Sequence, residues 1–524
     1  MLIRNVRLWT PARQLPSGQP ASGDAVLDVR VTGGVIDDVA PGLSRIPGDD
    51  EVIDAEGAAL LPGLHDHHIH LRALAAARAS VPVGPPQVST RPEFEARLRA
   101  ADAGAGDPAA AGEGPAAWAW LRCTGYYESV AGDLDRHVLD RIVPHRPVRI
   151  QHRTGALWIV NSAAADTLRL DDCDLPGVER DAGGRPTGRL WRLDRWLADR
   201  VPRTEPDLRA VSAAAIRQGV TGFTDATPGL SQRDIGSLAA AVSDGTIVQR
   251  LHLMAPPGMA PPGAALPTGG APPTDGAPPD GRVTLGPVKV MLDDDTLPSL
   301  DELTERIREA RARNRPVAVH CVTRVQLILT LTALDEAGRH GAGNYPARAH
   351  EGDRIEHAAI VPAELIPALR ARTVVTQPHF AAERADQYQH DVDPEDLPDL
   401  WRLRSLIEAG IPLAAGSDAP FGGADPWQVA VAAANRPLFS RTPEAISPGH
   451  ALSLFFGRAT APAIPRTIAP GQPADVVLLG VPPRDVPGAL GQRPGSPRPD
   501  LVAAVIVDGR IAYCGGSSHW AFGK

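Results

Sequence analysis

From Leu60 to Leu71 the chain reads Leu-Leu-Pro-Gly-Leu-His-Asp-His-His-Ile-His-Leu, with four histidines and one aspartate in the six positions that begin at His65. Leu60, Leu61 and Leu64 lead into this stretch as the start of a buried strand would. Alternate side chains on a strand share a face, so Asp66, His68 and His70 project one way and His67 and Ile69 the other. Two imidazoles side by side in a core are costly unless something uses their nitrogens, and a divalent metal ion does so. Chance histidines at a polar strand end are the alternative, which suits a lone His better than this cluster.

A second residue type stands out by its scarcity. Basic residues number 53, yet the only lysines are Lys289 and the terminal Lys524. Arg stays charged, whereas a buried Lys can lose its proton and act as a nucleophilic amine. Lys289 sits in Gly-Pro-Val-Lys-Val-Met-Leu, an apolar, strand-like setting that argues against a chance survivor on the surface.

These residues need elements to hold them. From about 62 to 459, apolar runs alternate with helical stretches. The expected strands are Trp118–Thr124, Val148–His152, Val220–Asp225, Val248–Met254, Val288–Leu292, Val317–His320, Arg354–His357, Thr373–Gln377 and Pro412–Gly416. Amphipathic helices are expected at Leu300–Arg313, Val325–Ala337, Pro362–Ala371 and Leu400–Ala409. Such repetition implies parallel βα units, an α/β protein whose usual closed form is a (β/α)8 TIM-like barrel. The strand candidates outnumber eight, so one or two belong to insertions. Residues 1–61 and 460–524 have a different texture of short β runs and turns. Asp508-Gly509 between apolar runs signals a hairpin, and the matching β character of the two ends suggests that they pair into one composite domain. The Ala/Gly/Pro-rich stretch Ala101–Ala117 and the Pro/Gly-rich insertion at about 255–282 read as flexible surface loops.

In a barrel, chemistry gathers at the C-terminal ends of the strands. His68, His70, Lys289, His320, His357 and Asp418 arrive in order on or just after the expected strands. Each alone is an ordinary packed or capping residue; jointly they are a set of metal-ligand and proton-transfer types.

Composition limits the alternatives. Hydrophobic residues make up 43% and charged residues 22%, and the formal charge is −9, so no nucleic-acid partner is implied. No apolar run is long enough for a membrane span, and Met-Leu-Ile-Arg-Asn-Val-Arg-Leu is too broken by charge for a signal peptide. Cys123, Cys173, Cys321 and Cys514 are far apart, as expected of reduced thiols in a cytoplasmic protein.

His68-Ile69-His70 after Pro62-Gly63-Leu64, together with Lys289, His320, Arg354-Ile355-Glu356-His357-Ala358 and Gly416-Ser417-Asp418-Ala419-Pro420, resembles the amidohydrolase superfamily. Within it the chain is most similar to the YtcJ-like, amidohydrolase-3 branch, which includes N-substituted formamide deformylases. Asn161-Ser162-Ala163, Pro186-Thr187-Gly188, Gly219-Val220-Thr221, Asp425-Pro426 and Ala469-Pro470-Gly471 support the likeness. The resemblance implies a barrel with a β-sandwich built from both termini and a metal-dependent hydrolase acting on an amide-type C–N bond. It implies two divalent ions, Zn first and Mn or Fe as alternatives. His68 and His70 would hold one ion, and His320 and His357 the other. Lys289, carboxylated by CO2, would bridge them, and Asp418 would bind the first ion and act as general base. A small-molecule substrate and a homodimer are expected by the same analogy. Ester or lactone hydrolysis would use the same centre. A heterocycle deaminase would need a Glu where His320-Cys321-Val322-Thr323 ends in Thr, and a non-catalytic scaffold would show a missing ligand.

Two positions depart from the branch. Cys321-Val322-Thr323-Arg324 stands where it often has Ala-Ile-Gly-Asp, and Ala156 where it commonly has His. Arg324 could bind a substrate carboxylate or pair with a nearby Asp. His379 could contact substrate or be structural, and Asp225 could support the site or cap a helix. Arg153 and Trp158 could line a pocket, with packing the alternative, and His65 and His67 read as structural.

Overall fold

The histidine-rich strand forms at Leu64–Ile69, and all six of its residues are buried. It belongs to a computed structural model that describes residues 1–9, 25–105, 120–202, 205–259, 281–339, 352–436, 443–490 and 501–515. The chain divides into two compact units, one of Met1–Leu71 with Leu208–Lys524 and one of Arg72–Asp207.

In the first unit, Leu64–Ile69 pairs in parallel with Val220–Asp225, followed by Arg250–Leu253 and Val283–Leu285. A second parallel sheet runs Val288–Val290, Val317–Cys321, Arg354–His357, Thr373–Thr376 and Leu413–Ala415. Only Gly286-Pro287 separates the two sheets in sequence. Proline has no N–H to donate, so a ladder breaks there. Val288 instead gives its N–H to Pro316 O at 2.8 Å. At the other edges, Asp418 N–H donates to His68 O at 2.7 Å and His70 N–H to Ala419 O at 2.9 Å. Gly416 allows that approach, since a Cβ there would lie 2.5 Å from the His68 nitrogen. Helices at Leu208–Arg217, Gln232–Ser243, Leu300–Ala312 and Arg324–Arg339 alternate with these strands. Capping boxes, Ser231 with Asp234 and Ser299 with Glu302, fix the starts of two of them.

Strands from both ends of the chain form one eight-stranded sheet. Ala59–Pro62 runs antiparallel to Val476–Leu479, with Leu61 opposite Val477. Ile3, Val6, Val29, Leu60, Val476 and Ile506 share its core. Asp508 and Gly509 both take positive φ, 53° and 72°, as a type I′ hairpin turn demands.

The second unit has its own six-stranded sheet, ordered Val178–Arg180, Pro186–Trp191, Leu157–Val160, Val148–His152, Leu121–Tyr126 and Val81–Pro82. Two strands expected in the βα repeat, near 118–124 and at 148–152, therefore lie here instead. Val148–His152 turns back through Thr154-Gly155 to pair antiparallel with Leu157–Val160, a partner that period-2 patterning cannot identify. Pro362–Ala371, expected as an α-helix, is a 3-10 segment at Ala363–Leu369 with Pro367 inside it. Leu400–Ala409 shortens to Arg404–Glu408, because Trp401 takes a left-handed φ of 49°. Of the two stretches expected as flexible loops, residues 106–119 and 260–280 lie outside the described residues, and the helix Arg91–Gly104 includes positions 101–104.

Buried Glu444 sets the start of that short helix. Its carboxylate accepts from the N–H groups of Leu403 and Ser405, both at 3.0 Å, from Arg402 at 3.2 Å and from the Ser405 hydroxyl. Glu444→Ala leaves these donors unmatched and is expected to cost about 2–4 kcal/mol. Urea unfolding checks this, and an unchanged midpoint refutes it.

Candidate metal centre

Three of the expected imidazoles meet around one carboxylate. Asp418 follows Leu413–Ala415 and His357 ends Arg354–His357, and both hold left-handed backbone, at φ 51° and 69°. Such positions are uncommon outside glycine and cluster at functional sites. Asp418 Oδ1 lies 3.0 Å from His70 Nε2 and 3.5 Å from His68 Nε2, and Oδ2 lies 3.9 Å from His357 Nδ1. Ligand atoms of His68, His357 and Asp418 all fall within 4.8 Å of one another. The ring of His320 stands edge-on to that of His357 with centroids 4.5 Å apart.

His68 and His70 are oriented by a partner on the nitrogen that does not face Asp418, and His357 by a partner on Nδ1 itself. His68 Nδ1 meets Glu356 Oε2 in a short contact. That leaves His68 Nε2 buried without a hydrogen-bond partner and facing Asp418. His357 Nδ1 meets Gln377 Oε1 at 2.8 Å, and His70 Nδ1 meets Thr227 Oγ1 at 3.3 Å. Glu356 is itself held by Arg354, which also donates to His67 O at 2.7 Å. Carboxylate and amide partners of this kind fix the tautomer of a ligating imidazole. Glu356 and Gln377 had no assigned role in the sequence. Glu356 was nonetheless detectable two residues after Arg354, on the same strand face, as an acid and a base that must pair if buried.

Lys289 lies mid-strand in Val288–Val290 with its Nζ buried and without a hydrogen-bond partner. Burial lowers its pKa, against the opposing charges of Glu356 and Asp418. Burial, then the Lys289 charge, takes His68 down to about 4. Burial, then His68, takes His357 down to about 3. Both imidazoles are therefore neutral near pH 7, the form that can donate a lone pair. Burial alone would raise Asp418. His68, the hydrogen bond from His70, and His357 outweigh that and hold it well below the usual carboxylate range. Asp66, buried beneath them, accepts from the N–H of Ser417 at 2.9 Å and is pushed up to about 6, chiefly by burial.

The secondary candidates separate. His379 is buried with Nε2 bonded to Ser417 O at 3.0 Å and Nδ1 without a partner. Arg324 takes the second of its two fates, bonded to Asp396 at 2.8 Å with Asp399 at 3.9 Å. Asp225 accepts from Leu71 N–H at 3.0 Å and Thr227 N–H at 2.9 Å, so it serves local backbone. Arg153 lies in the second unit, over the ring of Tyr127 at 5.4 Å. Trp158, in the same unit, is buried and donates to Asp194 at 2.8 Å.

The donor set fits a divalent ion of the Zn, Mn or Fe kind. Neutral imidazole nitrogens and an ionised carboxylate suit such ions, and the orphaned His68 Nε2 gains a partner. All four cysteines are free thiols, and among the described residues no helix is long and apolar enough to cross a membrane.

A sequence model of the amidohydrolase family matches residues 51–513. The putative amidohydrolase YtcJ of Bacillus subtilis (strain 168) is 25% identical over 417 residues, 72% of this chain and 73% of that protein. An uncharacterized metal-dependent hydrolase from Pyrococcus furiosus superposes with a TM-score of 0.64 at 19% identity, covering 92% of this chain and 99% of that one. One from Pyrococcus horikoshii OT3 gives 0.65 at 17%, covering 93% and 99%. At these identities the two structures speak for a shared α/β, TIM-barrel-like fold.

Proposed function

Because this chain belongs to the amidohydrolase family, we propose that it hydrolyses an amide-type C–N bond of a small molecule at a centre held by His68, His70, Lys289, His320, His357 and Asp418. The observation that carries this reading is the buried, partnerless His68 Nε2, set 3.5 Å from a carboxylate that His70 and His357 also approach. Two divalent ions, Zn before Mn or Fe, would supply a more acidic water and a polarised carbonyl. Asp418 is placed to hold the proton that the attacking water loses and to return it to the departing amine. Glu356 and Gln377 hold the rings of His68 and His357 in place beside Asp418. Lys289 is the residue we assign to carbamate formation. A neutral amine can bond to the carbon of CO2 and release a proton, and burial of its partnerless Nζ favours that neutral form. With Val283–Leu285 and Val288–Val290 taken as one strand interrupted at Gly286-Pro287, the two parallel sheets are read as one closed eight-stranded barrel over 62–459. Residues 1–61 with 460–524 are read as a β-sandwich. Four free thiols fit a cytoplasmic setting.

The test pairs metal analysis with a substrate screen over N-formyl and N-acyl amines, amino-acid amides and lactones. About two equivalents of metal per chain and chelator-sensitive amide hydrolysis are expected. Lys289→Ala should lower kcat by more than about a hundredfold, since even partners of ligands cost ten- to a hundredfold. Protein that folds stably yet takes up no Zn, Mn or Fe overturns the proposal, and lactone turnover alone reassigns the bond cleaved.

A further inference from the structure

The second unit contains a cluster that none of this chemistry uses. Strands Leu121–Tyr126 and Val148–His152 pair in parallel with Arg122 directly opposite Arg149. Like charges at paired positions repel. Both guanidiniums lie over the buried indole of Trp158, 5.4 and 5.5 Å from its centre. Trp120, two residues before Arg122, shares that face and packs in the same apolar cluster as Trp158.

The hydrogen bonding of this face is one-sided. Arg122 donates only to neutral acceptors: Ala76 O at 2.7 Å, the Ser80 hydroxyl, and Gln151 Oε1 at 3.3 Å. Arg149 Nε and Trp120 Nε1 are buried without any acceptor. Asp194 accepts from Trp158 at 2.8 Å and favours the charged form of Arg122, but among the described residues no acid offsets Arg149. Burial, then the charge of Arg122, lowers Arg149 to about 10. Stacking on Trp158 favours each cation modestly. It does not account for two half-buried cations set side by side, one of them with its Nε buried and unmatched.

We propose that this face is a binding site for a small oxyanion, a carboxylate or a phosphate, held by Arg149, Arg122 and Trp120 over Trp158. The planar guanidinium fork matches both anions.

The test uses the full-length protein and the midpoint of thermal unfolding. Inorganic phosphate or acetate is added at matched ionic strength, with chloride as the screening control. Wild type should be stabilised in a saturable way by at least one of the two, and the stronger response names the anion. Arg149→Met should bind it roughly ten- to a hundredfold more weakly, the loss of one charge-assisted contact. Without anion, Arg149→Met should unfold at an equal or higher temperature, because the repulsion is gone. Trp120→Phe keeps the ring, removes the N–H and should also weaken binding, so the test survives if Arg149→Met does not fold. His68→Ala should keep the anion response, which separates it from binding at the metal centre. Equal responses in wild type, Arg149→Met and Trp120→Phe, or no response to either anion, overturn the proposal.

Discussion

Asp418→Asn is expected to lower kcat by about 10²–10⁴-fold, the range for removing a general acid–base group, with little change in fold. The amide is nearly the same size as the carboxylate. Asn also tolerates the left-handed backbone that Asp418 holds at φ 51°. The main-chain bond from Asp418 N–H to His68 O at 2.7 Å is untouched. The variant loses the ability to carry a proton, along with the charge that draws His70 to 3.0 Å. The measurement is kcat and KM on protein whose metal content has been determined, beside its thermal midpoint. Lost turnover with a retained midpoint and retained metal supports the proton-carrying role. Wild-type turnover eliminates it, and lost metal shifts the role to ligation alone.

Glu356→Ala is expected to have the largest effect on stability, about 3–5 kcal/mol, the cost of stranding one partner of a buried ion pair. Arg354 is 2% exposed and Glu356 fully buried, so water cannot replace the missing carboxylate. One nitrogen of Arg354 already lacks a partner. Burial works against the Glu356 charge, but Arg354, then His68, hold its pKa well below the usual range, so this is an ionised pair. Glu356→Gln keeps the volume and should cost less. It should still weaken metal binding about ten- to a hundredfold, because the partner that orients His68 has changed. The double variant Arg354→Met, Glu356→Leu should regain much of the stability without regaining metal affinity. If it regains both, Glu356 has no orienting role.

Local structure was largely legible in the chain. Val148–His152, Val220–Asp225 and Arg354–His357 have the same bounds in sequence and structure. The Asp508-Gly509 turn has the backbone its residues demand. Alternation and turn chemistry act between near neighbours, so they are written in the chain. Pairing is not local. Val148–His152 has its expected bounds yet belongs to a separate unit, because its partner is decided by a return after Gly155 that composition does not announce. Leu157–Val160 and Pro186–Trp191 escaped notice as short runs that helices and strands both contain.

For the candidate site, residue type and spacing alone singled out His68, His70, Lys289, His320, His357 and Asp418, since buried imidazoles and a solitary interior lysine are costly without a task. What each nitrogen faces was decided only in three dimensions. Glu356 turns His68, Gln377 turns His357, and Asp396 occupies Arg324, all through contacts between side chains far apart in the chain. A hydrogen bond depends on tenths of an ångström and on direction, and those are set only once strands from across the chain lie side by side.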